Sequence, residues 1–257
     1  MTKYSKIVAP IIAGILFAQA AVAQVSKEDS EKAFGIMENT DKTLAYHGDY
    51  SATVSLVMEK PGKPNENSQY KIFQRTDDDL MTMVQLFPEA DKGTGYLMNG
   101  DNIWVYDPIG RKFTHTSLKE AIGDSDMDLN DMDKSDNHWR ENYEVTAITE
   151  TTLGKYEVYA ITLHAITIEP SYSTSTYYVR KDIPLILKQE DFSNSGRLMR
   201  TQLLPKYTKV PAGYVPTQII TKDEINKGEN TQMIISELSF DKLPDSIFTK
   251  AYLEGLN

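Results

Sequence analysis

The stretch that decides the fold is GTGYLMNGDNIWVYDPIGRKFTHTS, residues 93–117. Two short apolar and aromatic segments flank Asn-Gly-Asp at 99–101, and a second turn begins at Pro108. An Asn-Gly pair between two strand-like segments is a strong hairpin signal, because tight hairpin turns need residues that tolerate positive φ. The stretch therefore predicts three consecutive antiparallel strands, at residues 95–98, 102–106 and 112–116.

The glycines of this stretch also approach the dinucleotide-binding pattern Gly-x-Gly-x-x-Gly. Gly93 and Gly95 fit its first two positions, but Met98 lies where the third glycine belongs. The residues that follow are typical of a strand, so no helix N-terminus is predicted that could hold a pyrophosphate. We therefore reject a nucleotide-binding loop.

The rest of the chain continues the alternation of apolar and polar residues. In residues 50–60, for example, Val54, Leu56 and Met58 share one face of a strand. Short strands separated by Gly, Pro, Asn and Asp turns indicate one large antiparallel sheet or barrel. Further strands are predicted at residues 50–60, 69–76, 80–88, 144–153, 155–165, 174–180, 185–192, 197–205, 215–223 and 231–240.

Helices are predicted at both ends of this strand-rich region and in one interruption of it. Ser26 can cap a helix over residues 26–44, with acidic residues in its first turn. Residues 117–122 and the acidic stretch that follows, up to about Arg140, predict two helical insertions. A short C-terminal helix is expected over residues 244–255, between a proline and a glycine.

The first 23 residues have the layout of a cleaved secretory signal peptide: two lysines, an apolar run, and Ala-Val-Ala before Gln24. A membrane anchor is the alternative, but the apolar run is short for a spanning helix. We expect cleavage after Ala23 and a single domain over residues 24–257. The chain has no cysteine to accept a lipid, so we expect a soluble, unanchored periplasmic protein.

The charge balance argues against nucleic acid as a partner. Without Lys3 and Lys6, 25 of the 27 basic residues remain against 37 acidic ones, which gives a net charge of −12. A chain this acidic repels phosphate backbones and anionic membrane surfaces.

Metal and catalytic motifs are weak. A calcium loop starting at Asp124 would need glycine at Leu129 and glutamate at Ser135, so we interpret this acidic stretch as a solvated helix or loop covering an opening. The four histidines lack metal-ligand spacing, and no Gly-x-Ser-x-Gly elbow is present. The sequence therefore nominates no catalytic residues, no metal site and no cofactor.

Methionine and aromatic residues concentrate in the strands around the opening stretch. Most such residues belong to an ordinary core, but these side chains also suit an adaptable ligand pocket. A curved sheet with helices on its concave side would cover both faces. The candidate pocket residues are Phe73, Met81, Met83, Tyr96, Met98, Trp104, Tyr106 and Phe113.

The residues Asn-Gly-Asp-x-x-Trp-x-Tyr-x-Pro at 99–108, with Arg111 after the turn, resemble the hairpin of the outer-membrane lipoprotein-sorting family, the LolA/LolB-like periplasmic carriers. The segment IGDSDMDLNDMD (122–133) is similar to the family's short helical stretch, and FDKLPDSIFTKAYLE (240–254) to the ending of one branch. The resemblance covers nearly all of residues 25–257.

This resemblance implies a mainly β (α+β) fold, in which a single curved antiparallel sheet forms an incomplete β-barrel closed by helices over a hydrophobic cavity. It implies a monomeric carrier that binds acyl chains of lipids or lipoproteins and transfers them toward the outer membrane. Partners would be an inner-membrane exporter and an outer-membrane acceptor. The best-known carrier controls its cavity with a lid arginine, which no motif places at Arg75 or Arg111.

Two other classes of function stay open at this point. One is an adaptor that docks on a membrane exporter of the resistance-nodulation-division type without cargo of its own. The other is a hydrolase that acts on lipid.

Overall fold

The computed structural model describes residues 25–45, 47–123, 125–132 and 138–256, so the expected signal peptide at 1–23 lies outside the described residues. The described chain forms one 13-stranded antiparallel sheet. The strands are β1 Asp49–Glu59, β2 Glu66–Arg75, β3 Leu80–Phe87, β4 Gly95–Asn99, β5 Asn102–Asp107, β6 Lys112–Thr116, β7 Tyr143–Leu153, β8 Tyr156–Ala165, β9 Thr174–Arg180, β10 Ile186–Phe192, β11 Leu198–Val210, β12 Gly213–Asp223 and β13 Asn230–Ser239.

The sheet is an incomplete barrel. Its strand order is β6-β5-β4-β3-β2-β1-β13-β12-β11-β10-β9-β8-β7. Among the described strands, the pairing of β1 with β13 is the only one between strands that are distant in sequence. β6 and β7 lie at opposite ends of this order, and among the described strands no ladder joins them. The predicted fold class, a single curved antiparallel sheet that does not close, is confirmed.

In the described part of the chain, three α-helices accompany the sheet: α1 Lys27–Thr43, α2 Trp139–Asn142 and α3 Lys250–Glu254. α1 starts as predicted, because the Ser26 hydroxyl accepts a hydrogen bond from the Asp29 backbone N–H at 3.0 Å. The C-terminal helix is also present, but a 3₁₀ turn at Asp245–Phe248 precedes α3, and Thr249 caps the second piece.

The two faces of β1 to β5 pack against different parts of the chain. Successive side chains of a strand point to opposite faces, and Met98 of β4 packs on one face with Ile103 of β5. Leu97 of β4 lies on the opposite face with Tyr106 of β5. We call the first the inner face, because residues 118–132 lie across it, and the second the outer face, because α3 covers it.

Residues 118–132, which we call the covering segment, differ from the predicted helix. In place of a helix at 117–122, Ala121 forms an isolated antiparallel bridge with Asp128. Apolar side chains on both sides of this reversal pack against the sheet. The buried side chains of the segment are Ile122, Met127, Leu129 and Met132. The acidic stretch is therefore partly a core element, not the solvated element that its charge pattern predicted.

Candidate functional site

A cavity of about 740 Å³ opens in the half of the barrel built from β9 to β12. α1 and α2 border it on one side, the loop at residues 169–172 on another, and the end of β6 with the start of the covering segment on a third. Its volume is within the range of small-molecule sites.

Part of the cavity wall is apolar. Leu204 and Ile219 lie on β11 and β12, Leu185 directly precedes β10, and Trp139 enters from α2. Leu185, Ile219 and Trp139 are buried, whereas Leu204 is half-buried. These side chains provide a surface on which a hydrocarbon chain can be removed from water.

Another part of the wall contains a buried ion network centred on Arg200 of β11. Its Nη1 and Nη2 donate to the two carboxylate oxygens of Asp131 at 2.9 and 3.0 Å, and its Nε donates to Asp191 at 2.6 Å. The Tyr172 ring lies over the guanidinium, 4.8 Å from Cζ to the ring centroid. The two carboxylates raise the pKa of Arg200 against the opposing effect of its burial.

Neighbouring polar side chains complete this network. Asp191 also accepts hydrogen bonds from Ser175 Oγ at 2.6 Å and from Gln189 Nε2 at 2.8 Å. Asp131 accepts a third side-chain bond, from Gln202 Nε2 at 3.0 Å. Because Asp131 belongs to the covering segment, the network attaches that segment to β10 and β11.

Aromatic residues gather at the side of the cavity formed by α1 and α2. The Trp139 indole N–H donates to Asp41 Oδ2 at 2.6 Å, and its ring packs against Tyr177 and Tyr143 at centroid distances of 5.3 and 5.8 Å. Burial raises the pKa of Tyr143 to about 12 and that of Tyr177 well above its usual value. Both hydroxyls are therefore uncharged at neutral pH.

The structure brings four of the eight candidate pocket residues together on the inner face, in the half of the barrel that the covering segment fills. These are Met81, Met83, Tyr96 and Met98. They pack beneath the segment, and of the four Met98 also lines the open cavity. A role for them in lipid binding stays a prediction.

The other four candidates lie on the outer face. Phe73 packs edge-on against Tyr252 of α3 at 6.1 Å between ring centroids. Trp104, Tyr106 and Phe113 belong to the outer cluster that includes Leu253 of α3. The alternation that placed Trp104 and Tyr106 on one face was right, but that face packs against the C-terminal helix and does not line the cavity.

Sequence reasoning missed the residues that do line the cavity on β9 to β12. One available signal was the presence of Asp191 and Arg200 inside predicted strands, since charged residues are seldom fully buried without partners. The position of Asp131 gave no such signal, because its partner Arg200 lies 69 residues away in sequence.

One group of carboxylates outside the cavity lining could hold a cation. Asp126, Asp223 and Glu229 each place one oxygen so that all three lie within 4.8 Å of one another. Burial raises the pKa of Asp126, and Thr231 Oγ1 donates to its carboxylate at 3.2 Å. Asp126 is distant in sequence from Asp223 and Glu229, so ligand spacing could not reveal the group.

The open 13-stranded sheet, with helices at its mouth and an internal cavity, defines a LolA-like fold, and solved structures confirm it. A LolA superfamily protein from Nitrosomonas europaea is 22% identical with a TM-score of 0.74, covering 86% of this chain and 98% of that one. A DUF1329 family protein from Desulfovibrio piger is 20% identical with a TM-score of 0.78, covering 87% and 98%. A putative outer membrane lipoprotein-sorting protein domain from Vibrio parahaemolyticus is 16% identical with a TM-score of 0.75, covering 88% and 99%.

A family model described as "Uncharacterized protein" matches residues 77–255, and the chain belongs to that family. The search of curated proteins gave no match. Among the residues that the structure describes, no helix is both long and apolar enough to cross a membrane.

Proposed function

We propose that this protein is a non-catalytic periplasmic carrier that binds acyl chains of lipids or lipoproteins and transfers them toward the outer membrane. The observation that carries the proposal is the cavity of about 740 Å³ inside a LolA-like incomplete barrel. The solved structure of a putative outer membrane lipoprotein-sorting protein domain, similar in fold along nearly all of its length, supports it.

The apolar wall supplies the binding energy in this proposal. A hydrocarbon chain that contacts Leu185, Leu204 and Ile219 leaves water, and each buried methylene contributes about 0.8 kcal/mol. Part of a chain is therefore enough for useful affinity, while the open side of the barrel between β6 and β7 lets cargo enter and leave.

The expected signal peptide supports a location in the periplasm, where a carrier would receive cargo from an inner-membrane exporter and deliver it to an outer-membrane acceptor. The chemistry of the site supports binding and not catalysis. Asp131, Asp191 and Arg200 are engaged with one another and with neighbouring amides and hydroxyls, an arrangement suited to holding structure in place.

The experiment is native mass spectrometry and lipid extraction of protein purified from the periplasm, followed by uptake of a fluorescent acyl lipid. Leu204→Trp places an indole in the cavity and should weaken uptake at least about tenfold, because the added ring occupies the space of several methylenes. Ile225→Trp makes the same kind of change at an exposed position away from the cavity and should bind as the parent does. Protein that carries no lipid and takes up no probe would refute the proposal.

A further inference from the structure

The cavity lining is strongly acidic, which a site for an ordinary acyl chain does not require. Among the described residues that line it, two are permanent cations, Lys119 and Arg200. Seven carboxylates accompany them: Asp41, Asp79, Asp101, Asp131, Glu141, Glu169 and Asp191.

The two cations do not offset this charge. Arg200 is shared between two carboxylates, Asp131 and Asp191, and the Asp191 side chain has no solvent exposure. Lys119 is held at the mouth, where its Nζ donates to the Ile168 carbonyl oxygen at 2.6 Å. The other five carboxylates of the lining are exposed or half-buried, so the accessible part of the lining carries an excess of negative charge that attracts cations and repels anions.

The aromatic group on the other side suits a cation as well. All three rings, those of Trp139, Tyr143 and Tyr177, line the cavity, and Trp139, beside the Asp41 carboxylate, lies within 6 Å of both Tyr143 and Tyr177. Aromatic rings close to a carboxylate recognise ammonium groups through the quadrupole of the ring and through direct charge attraction.

We propose that the cargo is a long-chain amphiphile with a positively charged ammonium head group, and that the cavity discriminates against anionic lipids. The inference rests on the proposed carrier function and names its substrate class. The ammonium group lies between Asp41 and the aromatic rings, and the hydrocarbon chain follows Leu185, Leu204 and Ile219.

The test uses three probes with the same twelve-carbon chain, each below its micelle concentration: dodecyltrimethylammonium, monododecanoylglycerol and dodecanoate. The chain has two tryptophans, one in the cavity and one on the outer face, so binding can be localised. Trp104→Phe leaves Trp139 as the cavity reporter, and Trp139→Phe leaves Trp104 as the reporter of non-specific binding.

We expect the ammonium probe to quench Trp139 with an affinity about tenfold higher than dodecanoate, and the uncharged probe to lie between them. Asp41→Asn keeps an oxygen that can accept the Trp139 N–H but removes the charge, and should reduce the preference about threefold. Glu254→Gln removes one carboxylate from exposed α3 on the outer face and should leave the preference unchanged.

The outcomes separate the two proposals. Binding of all three probes with equal affinity, or tightest binding of dodecanoate, overturns the head-group inference while leaving the carrier function intact. Quenching of Trp104 as strong as that of Trp139, or an equal effect of Glu254→Gln and Asp41→Asn, also overturns it, because the preference would then come from net charge. Failure of every probe to bind at Trp139 overturns both.

Discussion

Removal of the Arg200 guanidinium should lower the free energy of unfolding far more than removal of the charge of Asp131 or Asp191, which it neutralises. Arg200→Met leaves Asp131 and Asp191 facing each other with side-chain exposures of 9% and 0% and no cation between them. Loss of one partner from a buried ion pair costs about 3–5 kcal/mol, because the remaining charge stays desolvated. Here two charges of the same sign remain, so the upper end of that range is expected.

Asp131→Asn is the informative comparison. Arg200 keeps Asp191 at 2.6 Å, and the asparagine oxygen can still accept one of the two bonds that Asp131 accepts now. Asp131→Asn should therefore lower the free energy of unfolding by about 1.5–3 kcal/mol, the contribution of a hydrogen bond to a charged group. In the double variant the Asp131–Asp191 repulsion is absent, so the total cost should be smaller than the sum of the two single costs.

The measurement is urea unfolding followed by far-ultraviolet circular dichroism at pH 7, for the three variants and for Arg197→Met. Arg197 is exposed, three residues before Arg200, and its replacement should change stability by no more than about 0.5 kcal/mol. A loss of unfolding free energy in Arg200→Met no larger than that in Asp131→Asn would contradict this account of the ion network. So would a double variant whose loss equals the sum of the two single losses.

Three further changes test other parts of the structure. Gly95→Ala places a Cβ 2.7 Å from Leu253 Cδ2, which is fully buried, so it should displace α3 and cost about 1–3 kcal/mol in thermal unfolding. The hydrogen bond from Arg75 lowers the pKa of Asp49. The pair therefore stabilises the fold at pH values above the unfolded-state pKa, and this stabilisation disappears as the pH falls through the lowered pKa. Because Arg75→Met removes the pair, the decline of Tm below about pH 4 should be flatter in this variant. Leu129→Ala empties a fully buried position at a cost of about 2–5 kcal/mol, and hydrogen exchange should accelerate in the covering segment more than in β9 to β12.

Local signals in the sequence were enough to predict much of the fold. The turn at 99–101 lies between β4 and β5, with Gly100 at a φ of +53°, and Ser26 caps α1. Both features depend on residues within a few positions of each other, where backbone preferences decide the structure. The alternation in β5 also showed correctly that Trp104 and Tyr106 share a face.

The direction of that face could not be predicted, because it depends on contacts between distant parts of the chain. Alternation along a strand separates two sets of side chains but does not indicate which set faces the inside of a barrel. In this protein the choice is made by Leu253 of α3, which covers the outer face, and by Ile122 and Leu129 of the covering segment on the inner one. The acidic composition of the covering segment concealed its apolar contacts, which fall at irregular spacing.

The covering segment also limits the open volume inside the barrel. It fills most of the inner face of β1 to β5 with its own side chains, among them Met127 and Met132, so that the open cavity lies mainly along β9 to β12 and reaches Met98 and Ile103. Its attachment includes the bidentate pair between Asp131 and Arg200, whose guanidinium also lines that cavity. In the proposed carrier function, a head group that competes for Arg200 would weaken one of the contacts that hold the segment, whereas a cation bound beside Asp41 would leave that pair intact. The proposed ammonium amphiphile would therefore leave the ion network unchanged, and an anionic one would compete with Asp131 and Asp191 for Arg200.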